Sequence, residues 1–297
     1  MGERRWAGMY APLTTPYDED GRVDLDALRR NIQGYGAAPL AGYVVLGTNG
    51  EFPMLDAGER AEVVATALTE AGSRPVLVQV GGASRGEGLA LARRSADLGA
   101  AAVLVVTPHY YRRQMTDSAL IDFYLEFARE SPLPVLLYNI PQNTGVNLSP
   151  AVVARLAEDP SIQGMKDSAG NLAQLAECVE RTPPGWGVLN GSGALLTAAA
   201  GVGATGAVVA LADVFPFEAC ALWRLCADGR WGEARDAEAR LRPVFRKLSQ
   251  LGVPGTKLGM DLMGYRGGAP RAPLAPVAPA EREALIELLR AAGLVRF

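Results

Sequence analysis

The chain predicts an α/β protein, a closed (β/α)8 (TIM) barrel with an appended C-terminal helical region. Three observations carry that expectation. Eight short apolar runs lie between residues 8 and 211, amphipathic stretches separate them, and 297 residues suit one barrel plus an extension. The runs are "GMYAPL" (8–13), "GYVVLG" (42–47), "PVLVQVG" (75–81), "AVLVVTP" (102–108), "PVLLYN" (134–139), "IQGMK" (162–166), "GVLNGS" (187–192) and "GAVVAL" (206–211). Their continuous apolar character is that of parallel strands covered on the outer face. Stretches such as "DLDALRRNIQGYGA", "DAGERAEVVATALTEA" and "TDSALIDFYLEFARE" have helical spacing and supply the cover. An open doubly wound sheet is the structural alternative, which eight such units fit less well.

After residue 212 the strand signal stops. "PFEACALWRLCADGRWGEARDAEARLRPVFRKLSQLG" reads as helix, turn and helix, followed by an extended Pro-rich tail and a final helix from about Glu281. Residues 1–212 are thus expected to hold the barrel strands and most of its helices. Residues 213–297 would add the last barrel helix and the C-terminal helices within the same structural unit.

Composition narrows the function. Net charge is −3 with both signs scattered, so nothing basic and clustered points to nucleic acid. No segment reaches the ~18 uninterrupted apolar residues of a membrane span, and "MGERRWAGMYAP" lacks the apolar core of a secretory signal. Cys178, Cys220 and Cys226 follow no metal or redox spacing and read as core residues of a reduced cytoplasm. The single histidine, His109, cannot build a His-rich metal site.

A (β/α)8 barrel gathers its chemistry at the C-terminal ends of its strands. Those ends here are Thr14 and Thr15; Thr48, Asn49 and Glu51; Gly81 and Gly82; Thr107, His109 and Tyr110; Tyr138 and Asn139; Lys166 and Ser168; Gly191 and Ser192. Only three of the 29 basic residues are lysines, and Lys166 closes an apolar run. A cation there costs several kcal/mol to desolvate unless it is paired or sheds its proton. A neutral amine beside tyrosines and hydroxyls suits Schiff-base chemistry, in which the protonated imine becomes an electron sink for bond breaking at the adjacent carbon. Plainer readings stand beside this one. Lys166 next to Asp167 could form a rim ion pair, and Tyr138 could simply pack the barrel. "GVGATG" (201–206) matches a dinucleotide fingerprint by letter, yet it lies between a helix and a strand in the wrong order, so it reads as a turn.

With these rim residues in place, the chain resembles the pyruvate-dependent class I aldolase superfamily of dihydrodipicolinate synthase and N-acetylneuraminate lyase. "GTNGE" looks like its carboxylate-holding signature, "VTPHYY" its Thr-Pro-x-Tyr segment, "LLYNIP" its Tyr-Asn-x-Pro segment and "GMKDSAG" its Schiff-base segment. The resemblance implies that Lys166 forms the imine with a 2-oxo acid and that Tyr138 relays protons. Thr48 and Asn49 would hold the pyruvate carboxylate, with Thr48 also in the tyrosine relay. Tyr110 would complete that relay from a neighbouring subunit, which implies a homo-oligomer, a dimer or tetramer; Tyr111 is the alternative in a loop that looks longer than in the synthases. Ser168, Asn143 and Gly191 would contact substrate, and neither metal nor cofactor is implied.

Two departures point within the superfamily. The second signature threonine is Asn49, and Asn143 in "YNIPQNTG" stands where the synthases carry an arginine. Both resemble 4-hydroxy-2-oxoglutarate aldolase, although Asn139 is kept after the tyrosine, unlike that enzyme. The expectation is a lyase that cleaves a 4-hydroxy-2-oxo acid to pyruvate and an aldehyde acid such as glyoxylate. The alternatives are a dihydrodipicolinate synthase or a sugar-acid aldolase of the same superfamily. A non-catalytic 2-oxo-acid-binding barrel is remote, because both Lys166 and Tyr138 are present.

Overall fold

A computed structural model describes residues 6–81 and 84–294. The strands are β1 (Gly8–Pro12), β2 (Gly42–Val45), β3 (Val76–Gly81), β4 (Ala102–Val106), β5 (Val135–Asn139), β6 (Ile162–Asp167), β7 (Gly187–Asn190) and β8 (Gly206–Val208). Each pairs in parallel with its neighbours, and β8 pairs back onto β1 to close the barrel. The expected fold is observed. All eight apolar runs became strands because each is buried on both faces, by the barrel interior and by the helices outside.

The first helices are α1 (Leu25–Gly34), α2 (Ala57–Glu70), α3 (Arg85–Asp97), α4 (Asp117–Glu130), the single turn α5 (Pro141–Thr144) and α6 (Pro150–Leu156). They are followed by α7 (Leu172–Arg181), α8 (Leu196–Gly201), α9 (Leu211–Val214), α10 (Pro216–Ala227), α11 (Trp231–Leu262) and α12 (Pro279–Ala291). Side-chain caps start several of them. Asp24, Ser84, Thr116, Ser149 and Asn171 each accept from a main-chain N–H of the first turn, and Asp56 forms a full capping box with Glu59.

Two stretches differ from the sequence expectation. Of the run 206–211, only Gly206–Val208 is strand, and the chain then turns into α9. Every residue of α9 is buried, so an apolar run could not reveal where strand gave way to helix. The expected helix through "KLSQLG" does break at Gly252, which has φ 64°, but a second helical half continues to Leu262. That half, with Pro254, Gly255 and Gly259, has little helical pattern of its own. It packs on α9 and places Lys257, Gly259 and Met260 in the interior. Gly201–Gly206 is the helix-to-strand turn between α8 and β8. Gly82, expected at a strand end, lies outside the described residues.

Tight closure at the β8–β1 seam requires small residues. A Cβ added at Gly206 would lie 2.4 Å from Gly8 O and 2.8 Å from Leu189 Cδ2. Gly206→Ala is therefore expected to cost about 1–3 kcal/mol, the usual range for overpacking, read as a lower denaturant midpoint at unchanged slope. Gly232→Ala, which would meet no atom within 4 Å, should leave the midpoint unchanged or slightly raised.

Candidate active site

Lys166 stands at the C-terminal end of β6. Strand register places it beside Tyr138 of β5 on one side and Leu189 of β7 on the other. Tyr138 and Leu189 belong to the apolar filling of the barrel, so Lys166 points into the barrel with them. It is 4% exposed, and its Nζ lies 4.3 Å from the centroid of the Tyr138 ring. Asp167 faces the other way, as alternation along a strand dictates. Its Oδ1 accepts from Asn139 Nδ2 at 2.7 Å, and burial raises its carboxyl above the usual carboxylate range. The rim ion pair between Lys166 and Asp167 is not formed.

Among the described residues Lys166 is the lysine without an ion-pair partner. Lys247 pairs with Glu281, and Lys257 pairs with Glu51 at 2.6 Å with both side chains fully buried. Lys257 also donates to Ala269 O at 3.0 Å, and burial pulls its ammonium below the ordinary lysine range, with Glu51 opposing. The amines of Lys247 and Lys257 are committed to structure.

The β2–α2 loop brings the second set of groups. Thr48 Oγ1 and the Tyr138 hydroxyl are hydrogen-bonded at 3.2 Å. Asn49 Nδ2 donates to Asp213 Oδ2 at 3.2 Å. Beneath them Thr15 Oγ1 donates to Gly50 O at 2.7 Å, and Glu51 occupies the left-handed region at φ 54°. Thr48 and Asn49 line a cavity of about 770 Å³ over the barrel mouth, together with Asn143, Gly191, Gln79 and Arg60. Tyr138 and Lys166 lie behind this lining, joined to it through the Thr48 hydroxyl.

The other expected residues divide. Asn143 and Gly191 line the cavity, while Ser168 packs its hydroxyl directly behind Gly191, where a Cβ would lie 2.0 Å from Ser168 Oγ. Asn139 is structural: it donates to Asp167 and Asn147 and accepts from Leu148 N, tying β5 to β6 and to the following loop. His109 also lines the cavity. Tyr110 is not in the cluster; it is 75% exposed and packs edge-on against Tyr111, which is 67% exposed.

Several groups escaped the sequence reading. Asp213 on α9 is fully buried, and burial pushes its carboxyl up to about 8, with the Asn49 hydrogen bond and the Lys166 charge pulling in the opposite direction. An acid inside the apolar run "GAVVALADVF" was the available signal, as was the polar Gln79 within "PVLVQVG". Arg60 of α2 reaches the cavity over the Phe52 ring, and nothing in its helix distinguishes it from other surface arginines.

The Glu51–Lys257 pair yields a stability prediction. Glu51→Gln leaves the Lys257 ammonium buried without its counter-charge and should cost about 3–5 kcal/mol, measured by calorimetric unfolding. Adding Lys257→Met removes the uncompensated charge and should recover most of that loss.

Residues 5–292 match the model of the dihydrodipicolinate synthetase family. A 4-hydroxy-tetrahydrodipicolinate synthase of Methanothrix thermoacetophila is 33% identical over 285 residues, covering 95% of each chain. One from Azoarcus is 33% identical over 292 residues, covering 97% of this chain and 98% of the relative. Among solved structures, dihydrodipicolinate synthase from Thermotoga maritima superposes with a TM-score of 0.92 at 28% identity, covering 98% of this chain and 99% of that one. A prophage protein of the dihydrodipicolinic acid synthase family from E. coli, solved in complex with pyruvate, superposes with a TM-score of 0.92 at 27% identity, covering 98% and 100%. With a family model spanning nearly its whole length, and relatives above 30% identity over at least 95% of each chain, the chain belongs to the dihydrodipicolinate synthetase family.

Proposed function

We propose that this chain, an enzyme of the class I aldolase type by its family, makes or breaks a carbon–carbon bond beside an iminium formed between Lys166 and pyruvate. The observation that carries the reading is the state of the three lysines. Two are tied up in ion pairs, and the third, unpaired, shares a barrel row with a tyrosine hydroxyl linked to the cavity. In this mechanism the Lys166 amine attacks the 2-oxo carbon. Tyr138, with Thr48 as its hydrogen-bonded relay, passes protons to the departing oxygen, which leaves as water. The iminium then draws electrons from a bond on the adjacent carbon. Drawn from its C–H bond, whose proton leaves through the Tyr138 relay, they give an enamine that attacks an aldehyde. Drawn from its outer C–C bond, they give the same enamine, and cleavage releases an aldehyde as the hydroxyl proton passes to that relay. Thr48 and Asn49 take the pyruvate carboxylate. Exposed Tyr110 joins the relay of a neighbouring subunit within a homo-oligomer, and Ser168 shapes the wall behind Gly191.

For the second substrate, the names of the relatives favour condensation in the manner of 4-hydroxy-tetrahydrodipicolinate synthase, joining pyruvate to aspartate semialdehyde. Among the described residues Arg60 is the one arginine that lines the cavity and its Nε has no hydrogen-bond partner, and it supplies a cation for the semialdehyde carboxylate. A second reading rests on Asn143. It lines the cavity where the synthases carry an arginine, and its neutral amide favours cleavage of 4-hydroxy-2-oxoglutarate to pyruvate and glyoxylate. Replacing a charge-assisted hydrogen bond by a neutral one weakens the grip by about 1–3 kcal/mol, or roughly 5- to 150-fold in discrimination.

Borohydride reduction with pyruvate should abolish activity and leave the adduct on Lys166. An adduct on Lys247 or Lys257 would sink the mechanism. Comparing kcat/KM for the two reactions then chooses the substrate. Faster condensation is expected, and faster cleavage of 4-hydroxy-2-oxoglutarate moves the assignment to the second reading while the Schiff base stands.

A further inference from the structure

Asp213 lies on α9, just past the last barrel strand, and is fully buried. Its Oδ2 accepts from Asn49 Nδ2 at 3.2 Å, whereas its Oδ1 has no hydrogen-bond partner among the described residues. An ionised carboxylate buried with one neutral donor is costly, while a neutral acid has a proton to donate and needs an acceptor. Asn49 is the side chain within reach, and it also lines the cavity. Its amide has two nearly isosteric ends, one an N–H2 donor and the other an oxygen acceptor, and a half-turn of the amide exchanges them.

We propose that Asp213 is a proton-dependent positioning residue for substrate binding. As the neutral acid it donates to Asn49 Oδ1 and turns the Asn49 N–H2 toward the carboxylate of the 2-oxo acid; as the carboxylate it takes the N–H2 and turns the amide oxygen toward that anion. The inference rests on the reading that Thr48 and Asn49 hold the pyruvate carboxylate, and it names the group that sets their affinity.

The surroundings fit a proton switch. Burial is the largest influence on the Asp213 carboxyl and raises it to about 8. Lys166 on β6 acts on it by charge, and the Tyr35 hydroxyl donates to its main-chain carbonyl at 2.8 Å. Of the elements packed on α9, β1 carries Tyr10, α10 carries Glu218 and Cys220 in its first half, and the second half of α11 carries Asp261 and the Lys257 paired with Glu51. None of these is among the groups that shift it. The sign follows directly. Below about pH 8 the neutral acid prevails and the site favours an anion; as the pH rises through that value the donor is lost and affinity falls.

The test is cyanoborohydride trapping of pyruvate by the full-length protein, with the initial rate followed against pyruvate concentration at several pH values. The saturating rate reports the amine, and the half-saturation concentration reports the grip on the carboxylate. For an acid titrating near 8, half-saturation should rise about tenfold between pH 7 and pH 9. Asp213→Asn, an amide that donates to Asn49 Oδ1 at every pH, should lose that rise, and Asn49→Ala should lose it with Asp213 intact. Methyl pyruvate, an uncharged ester, should show no rise with the unaltered protein. A flat half-saturation for pyruvate, a rise retained in either variant, or an equal rise with the ester overturns the proposal and leaves the Schiff base standing. Absence of any Lys166 adduct at every pH overturns the Schiff-base reading and this inference with it.

Discussion

The buried pair between Glu51 and Lys257 is the constraint on which the site depends. Glu51 sits in the left-handed region, a conformation that costs a non-glycine residue of order 1 kcal/mol or more. Its Oε1 faces Lys257 at 2.6 Å, and its Oε2 accepts from Arg271 N at 2.9 Å. Arg271 in turn grips Glu59 with two nitrogens, each at 2.7 Å, and donates to Met54 O at 2.8 Å. The segment 257–271 thus clamps the β2–α2 loop from one side while Thr15 holds Gly50 from the other. Thr48 and Asn49 lie between these anchors. Their placement relative to Tyr138 and Asp213 is a consequence of contacts made more than 200 residues away in the chain.

This arrangement gives the C-terminal helices a role beyond covering the barrel. α11 breaks at Gly252, and the redirected half packs on α9, the turn that carries Asp213. The same half supplies Lys257 to the loop and Met260 to the Thr14 hydroxyl, which donates to its sulfur at 3.2 Å. Phe245, Leu248 and Thr256, on either side of the break, line the cavity. One kink therefore positions both the wall of the cavity and the anchor of the loop that lines its floor.

The barrel and the cluster of residues at the centre of the candidate site were legible because both follow from strand ends. Lys166, Tyr138 and Thr48 each stand at or just past the end of an apolar run, and a parallel barrel brings such ends together whatever their separation in sequence. Lys257 was not legible as an anchor, since its helical half has no clear periodicity and its partner lies on a distant loop. Asp213 was hidden differently. It sits just past the apolar run 206–211 that reads as strand, on a buried turn of helix that begins within that run, so its side chain takes a direction that alternation does not predict. Tyr110 is a third case: its exposed ring gains meaning only from whatever surface packs against it.

The site holds two groups of opposite character behind the same lining, an unpaired lysine on β6 and a buried acid on α9. In the proposed reaction cycle, their electrostatic coupling sets a charge logic. Entry of a 2-oxo acid brings a negative charge beside Asn49 and favours the neutral form of Asp213. In that proposed cycle, formation of the iminium from the neutral amine places a fixed positive charge at Lys166, and a positive charge there pulls the Asp213 carboxyl down. When the iminium is hydrolysed and that fixed charge disappears, the neutral acid is favoured again. On that proposal the grip on the carboxylate is strongest as substrate arrives and is relaxed once the covalent bond to Lys166 holds it. A neutral Asp213 would serve binding alone, and a permanently ionised one would oppose it. An acid whose proton is finely balanced between the two can follow the charge of the ligand through the cycle, and burial beside Lys166 provides that balance.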